Sequence, residues 1–156
     1  RQRALAAYME GWNNMLSANF ICFANSQYQD VAILDGGASR SAGGFPGIER
    51  VADHVRDRGG AISQSDAAVA FTFAGGAGAT ARARVGLPMP ALGGEQMEFH
   101  CMPTEETPLL IGVDMLDRWG LVLDYWNSSG YSHVLSKFLP CVRTPGRHLA
   151  LVTRPE

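Results

Sequence analysis

No stretch of this 156-residue chain approaches the roughly 18 consecutive apolar residues of a membrane-spanning helix, so no membrane span is expected. Basic charge is not in excess either. Thirteen Lys and Arg stand against fifteen Asp and Glu, a net charge of -2, and without a basic field nucleic acid is not an expected partner. Cysteine is scarce: Cys22, Cys101 and Cys141 are odd in number and widely spaced, which points to reduced thiols in a cytoplasmic setting. No signal-peptide pattern opens the chain, and Arg1 in place of Met suggests a piece cut from a longer protein. Metal ligands do not cluster. His100 and Cys101 are neighbours in a strand-like stretch and would point to opposite faces, while His54, His133 and His148 lack a partner at useful spacing. No metal and no cofactor is therefore expected. Ser39 and Ser41 sit in no Gly-x-Ser-x-Gly elbow, and no Gly-Lys-Ser/Thr follows the glycines at 75–78, which makes a phosphate loop a poor fit.

What the chain does have is glycine, 18 residues of it, clustered at 36–37, 43–44, 59–60, 75–78 and 93–94. Each cluster marks a turn between apolar segments, and the length suits one domain with a sizeable core. Leu5, Tyr8, Met9, Trp12, Met15 and Leu16 recur at helical spacing and predict an amphipathic helix over residues 3–17, weakened by Gly11 and Asn13-Asn14. Strands are predicted at 20–24 and 31–34, and a second helical stripe, Ile48, Val51, Ala52 and Val55, should stop at Gly59-Gly60. Val69, Phe71 and Phe73 alternate with small residues, as do residues 80–87, and Met97, Phe99 and Cys101 share one face of a further strand. After the apolar run 109–112 come a helix of about two turns and strands at 121–125 and 131–136. Residues 137–156, with three prolines and four basic side chains, read as a C-terminal tail with a strand at 148–152. The expected class is mainly β with short helices and an N-terminal helix. Its divisions are an extension over 1–27, a domain over 28–136 and the tail over 137–156. Trp12, Trp119 and Trp126 are expected in the core or at an interface.

Two segments carry the chemistry. In Val31-Ala32-Ile33-Leu34-Asp35-Gly36-Gly37-Ala38-Ser39, an apolar strand delivers one carboxylate into a turn of small residues. Taken alone, Asp35-Gly36 also fits an ordinary surface turn. The second segment is Pro108-Leu109-Leu110-Ile111-Gly112-Val113-Asp114-Met115-Leu116, an apolar run closed by a glycine and followed by a helix. Asp114 falls at that helix start, where a capping role is expected. Asp124 reads as a solvated strand residue.

Together the two segments resemble the halves of the retropepsin-like aspartic protease domain of retroviruses and retrotransposons, over residues 28–136. The resemblance implies an acid-protease half-barrel that works as a homodimer and cleaves peptide bonds, processing a polyprotein. Asp35 would be the catalytic residue and Gly36, Gly37, Ala38 and Ser39 the active-site loop. Leu110, Ile111 and Gly112 would form the second motif beside it. Paired aspartates at that distance cannot both ionise, so one stays an acid while its twin acts as base on a bridging water. Between the motifs, Ala74, Gly75, Gly76, Ala77 and Gly78 form a glycine-rich tip. It fits the family's flap, a hairpin that closes over a bound peptide, and equally an ordinary hairpin turn. The family places Ser or Thr directly after the catalytic Asp, where its hydroxyl ties the two aspartate loops across the dimer axis. This chain has Gly36 there. The alternative implied by that departure is a weakened or inactive member that serves as a dimerisation or peptide-binding module.

Overall fold

The computed structural model of the chain describes residues 30–72, 76, 78–103 and 107–154. The helix expected at 3–17, the strand at 20–24, Cys22 and Trp12 lie outside the described residues. The architecture is mainly β, with eleven strands and two α-helices among those residues.

The core is built around β1 (Val31–Leu34), all four of whose residues are buried. Continuous apolar sequence is what a strand covered on both faces requires. β1 lies between two partners. β6 (Leu110–Ile111) runs parallel to it with Ile33 opposite Leu110, and β11 (Leu149–Val152) runs antiparallel with Ile33 opposite Ala150. The eight-stranded order is β10 (Cys141–Arg143), β11, β1, β6, β2 (Ala42–Gly44), β5 (Glu95–Met102), β4 (Gly78–Met89), β3 (Ser63–Thr72). β2 (Ala42–Gly44) feeds directly into α1 (Phe45–Asp57), whose buried residues are the expected stripe Ile48, Val51, Ala52 and Val55. The helix ends as its sequence predicts. Gly60 N–H donates to Val55 O and Gly59 N–H to Arg56 O, with Gly59 in the left-handed region at φ 73°. This double turn satisfies carbonyls that the helix leaves open and favours glycine at that position.

β3 (Ser63–Thr72) and β4 (Gly78–Met89) form a long antiparallel hairpin, and β5 (Glu95–Met102) pairs with the other side of β4. Met97 and Phe99 from β5 are fully buried, while Cys101 on the same face is partly buried against the core. α2 (Val113–Arg118) follows β6, and Trp119 at its end fills the core at 2% exposure. Trp126 is the opposite case, 93% exposed in a turn.

β7 (Leu121–Asp124), β8 (Ser129–Ser132) and β9 (Lys137–Leu139) make a separate three-stranded sheet. The strand expected across 131–136 breaks at Ser132. Its buried hydroxyl donates to Trp119 O and accepts Leu135 N–H, and Ser136 at φ 51° completes the reversal into β9. Within 137–156, expected as a tail, the strand expected at 148–152 is present as β11, and two further strands, β9 and β10 (Cys141–Arg143), precede it. Leu149, Ala150 and Leu151 are fully buried beside β1. What the sequence did not reveal is that this strand lies in the core, since its neighbours in the chain are rich in proline and basic residues. No helix among the described residues is long and apolar enough to cross a membrane.

Candidate active site

Asp35 stands at the carboxyl end of β1, half-buried. Its direction is set by the neighbouring strand: Ile33 N–H donates to Leu109 O at 2.8 Å and Asp35 N–H to Ile111 O at 2.9 Å. The loop then curls on itself. Gly37 N–H donates to Asp35 Oδ1 at 2.8 Å and Ala38 N–H to Asp35 O at 3.2 Å. Gly36, Gly37 and Ser39 are exposed and Ala38 is half-buried. The backbone at Gly36 is outside the left-handed region, and a Cβ there would meet nothing within 4 Å. A side chain at residue 36 would therefore fit without strain.

The second segment locks onto the far side of this loop. Val113 N–H donates to Ala38 O at 2.8 Å. Gly112 passes so close that a Cβ would lie 2.6 Å from Arg40 C, 2.7 Å from Ala38 O and 2.8 Å from Arg40 O. Only glycine permits that approach of two backbones. Thus Asp35, its loop and Leu110-Ile111-Gly112 come together as one unit, with 73 residues separating its ends at Ser41 and Asp114.

Asp114 differs from its expected role. The helix N-cap is Gly112, with no side-chain cap. The Asp114 carboxylate accepts Met115 N–H at 2.9 Å, but it also reaches the first segment, accepting Ser41 N–H at 3.0 Å and Ser41 O–H at 2.8 Å. The Ser41 hydroxyl in turn accepts Gly112 N–H at 3.0 Å. Ser41 is fully buried, so this carboxylate–hydroxyl–amide link is charge-assisted and shielded from water. His100, 3% exposed, joins it from β5: its Nδ1 lies 3.0 Å from Ser41 O. Since a carbonyl only accepts, Nδ1 must carry the proton. The imidazole also meets the Phe71 ring edge-on at 5.7 Å between centroids.

Continuing the β1–β11 register past Ile33–Ala150 brings His148 opposite Asp35. The two groups act on each other electrostatically. Burial pushes the Asp35 carboxyl above its usual range, while the Gly37 N–H, His148 and Ala38 N–H pull it back down. Burial likewise pushes His148 below its usual range, against the pull of Asp35. Among the described residues no second carboxylate of the chain acts on Asp35. Asp124 is solvated as expected, its carboxylate accepting Asn127 N–H and Nδ2–H, which lowers its pKa.

Of the glycine-rich tip, Gly76 is exposed at φ 82° and Gly78 opens β4, while Ala74, Gly75 and Ala77 lie outside the described residues. The tip end of the hairpin borders an open cavity of about 640 Å³ lined by Phe71, Thr72, Ala79, Arg82, Cys101 and Met102. Asp35 does not line it. Ser41, His100 and His148 are the residues that sequence reasoning did not assign to this unit. A lone serine entering an apolar stretch at Ala42-Gly43-Gly44 was the only local signal for Ser41. For His148 there was none before β11 was paired with β1. No family model, curated protein or solved structure matches the chain.

Proposed function

We propose that the chain is a retropepsin-like aspartic endopeptidase whose active site forms when two copies bring their Asp35 loops together. The observation that carries this reading is the interlock of the two segments. A single carboxylate, at the end of a fully buried strand, sits on a loop held from behind by Gly112 and by the Ser41–Asp114 link. Such a loop is rigid on its inner side and open on its outer side, where Gly36 and Gly37 are exposed. Two such loops would set two carboxylates close enough to share a proton. The ionised Asp35 takes a proton from the bridging water as the water oxygen attacks the peptide carbonyl carbon. The protonated Asp35 gives its proton to the carbonyl oxygen; collapse of the tetrahedral intermediate then breaks the C–N bond, the now-protonated carboxyl protonating the amine while the ionised one takes back a hydroxyl proton from the new carboxyl product, which restores the single shared proton. Burial already raises the proton affinity of Asp35 in the single chain, which suits a group that must hold a proton. The β3–β4 hairpin is long enough to cover a bound peptide and exclude water.

Two observations favour a second reading, a peptide-binding or dimerisation module without the chemistry. Gly36 supplies no hydroxyl across the axis, and His148 beside Asp35 draws its carboxyl toward the ionised form. One experiment separates the two. Peptide-library cleavage at mildly acidic pH is measured for the wild type and Asp35→Asn, with sedimentation of both. Activity lost in Asp35→Asn, from a dimer, supports the peptidase. Activity retained in Asp35→Asn, or cleavage by a strict monomer, sinks it. A dimer without activity supports the module.

A further inference from the structure

β3 is the last strand of the eight-stranded order, so its outer edge has no strand partner among the described residues. That edge is not uniform along its length. A bulge between Asp66 and Val69 breaks the register, and Asp66 itself is exposed there. Bulges and charges blunt an edge against added strands. From Val69 to Thr72 the pairing with β4 is regular again, and the backbone on its outer side is open to a further strand. Ala70, Phe71 and Thr72 of that stretch line the open cavity of about 640 Å³, a size within the roughly 300–1,000 Å³ of ordinary ligand sites.

The rest of the lining is small or apolar, with a single charge. Ala79, Met102 and Pro103 contribute apolar surface, and Arg82 is the ionic group. Arg82 is exposed and has no ion pair or hydrogen bond among the described residues. Arg84, two residues on and so on the same side of β4, meets only Glu98, at a loose 3.9 Å. No carboxylate among the described residues lines the cavity, and burial pushes the Cys101 thiol up, which keeps it neutral. The wall is continuous with the candidate site. Phe71 meets His100 edge-on, His100 Nδ1 donates to Ser41 O at 3.0 Å, and Met102 shares a buried cluster with Ala42, next to Ser41.

We propose that an extended peptide segment bearing an acidic side chain adds to β3 at Val69–Thr72 and sets its carboxylate against Arg82 in this cavity. The main-chain groups of the open edge supply the affinity of strand addition, and alternate side chains of the added strand meet the cavity. A guanidinium presents a planar fork that matches a carboxylate. Since Arg82 has no acidic partner among the described residues, no group of the described chain competes for it. The small lining residues leave room for the apolar stem of the incoming side chain. The inference rests on the reading that the chain binds peptides, as peptidase or as module, and adds the class of peptide.

The test uses the full chain carrying Asp35→Asn, so that a bound peptide is not turned over. The probes are short fluorescent peptides that each carry one Glu, Gln or Lys at a given position, and anisotropy gives their dissociation constants. The best-placed Glu should bind about fivefold tighter than Gln, the scale of a solvent-screened ion pair, and added salt should shrink the difference. Arg82→Gln should abolish the preference, and Arg82→Glu should turn it toward Lys. Arg82 is exposed, so neither change touches the core, and an unchanged melting temperature is the folding control. Arg118→Gln, at an exposed arginine on α2, controls for net charge and should leave the preference intact. The proposal is overturned if Glu and Gln peptides bind alike, if no peptide binds, if Arg82→Gln keeps the preference, or if Arg118→Gln removes it as well. Cleavage of the same peptides by the wild type tests the peptidase separately. Cleavage without a Glu preference strikes only this inference, and a Glu preference without cleavage strikes only the peptidase.

Discussion

Replacing Gly112 by alanine tests the interlock directly, whatever the chain's activity. The added Cβ would lie 2.6 Å from Arg40 C, 2.7 Å from Ala38 O and 2.8 Å from Arg40 O. All three are backbone atoms, so no flexible side chain can swing aside. Relief requires the 35–41 loop to separate from β6, which stretches Val113 N–H···Ala38 O and Gly112 N–H···Ser41 Oγ. Overpacking of this kind costs about 1–3 kcal/mol, and each weakened buried hydrogen bond adds on the order of 1 kcal/mol. A loss of about 3 kcal/mol or more is expected, which for a chain of this size lowers the melting temperature by roughly 6–12 °C. Gly36→Ala is the matched control. Its Cβ meets nothing within 4 Å and its backbone is outside the left-handed region, so it should be neutral or stabilise by about 0.4–1 kcal/mol through the unfolded chain. Urea or thermal unfolding of both variants provides the comparison. Gly112→Ala within about 0.5 kcal/mol of wild type would refute the close-approach argument.

Gly36→Thr should tighten the proposed dimer, since a hydroxyl restored on each copy adds two hydrogen bonds of about 1 kcal/mol each, or roughly thirtyfold in the dissociation constant; sedimentation equilibrium showing no tightening would mean that other contacts hold the copies together. Asp114→Ala strands the buried Ser41 N–H and hydroxyl and should cost about 2–4 kcal/mol in urea unfolding, with Asp114→Asn recovering part of that loss. For Asp35, burial raises the folded pKa above 3.8, so its stabilisation is present below that value and is lost as pH rises through the folded pKa. Asp35→Asn should accordingly remove this loss and be the more stable form at neutral pH; equal stability at pH 3 and pH 7 relative to wild type would contradict it. The His148 pKa is lowered from 6.5, so its contribution is present above 6.5 and is lost as pH falls through the folded value. His148→Asn should flatten that acid limb and move the Asp35 carboxyl further up, read by carboxyl NMR titration, and an unmoved Asp35 would show that the two groups do not communicate.

Local pattern carried much of this molecule. The stripe Ile48, Val51, Ala52 and Val55 and the stop at Gly59-Gly60 define α1 because a helix and its terminal left-handed residue depend on neighbours within a few positions. β1 was legible for a related reason, since four apolar residues in a row can only be a segment covered on both sides. The Asp35 loop and Leu110-Ile111-Gly112 were each legible as short local motifs, and backbone hydrogen bonds join the two segments.

Long-range partnership is what the sequence could not carry. Asp114 reads as a helix-start carboxylate because nothing within a few residues reveals Ser41, 73 positions away, as its main partner. Residues 148–152 read as a strand within a tail, yet only pairing with β1 determines that Leu149, Ala150 and Leu151 are core. That same pairing brings His148 to Asp35, so the electrostatics of the candidate site are a product of sheet register. The sequence by itself therefore determined which segments are helix or strand and which carboxylate ends a buried strand, since these follow from periodicity and turn chemistry over a few residues. The tertiary structure alone decided which polar groups share a buried environment, because a hydrogen bond or a desolvated charge depends on distance in space and not on separation along the chain.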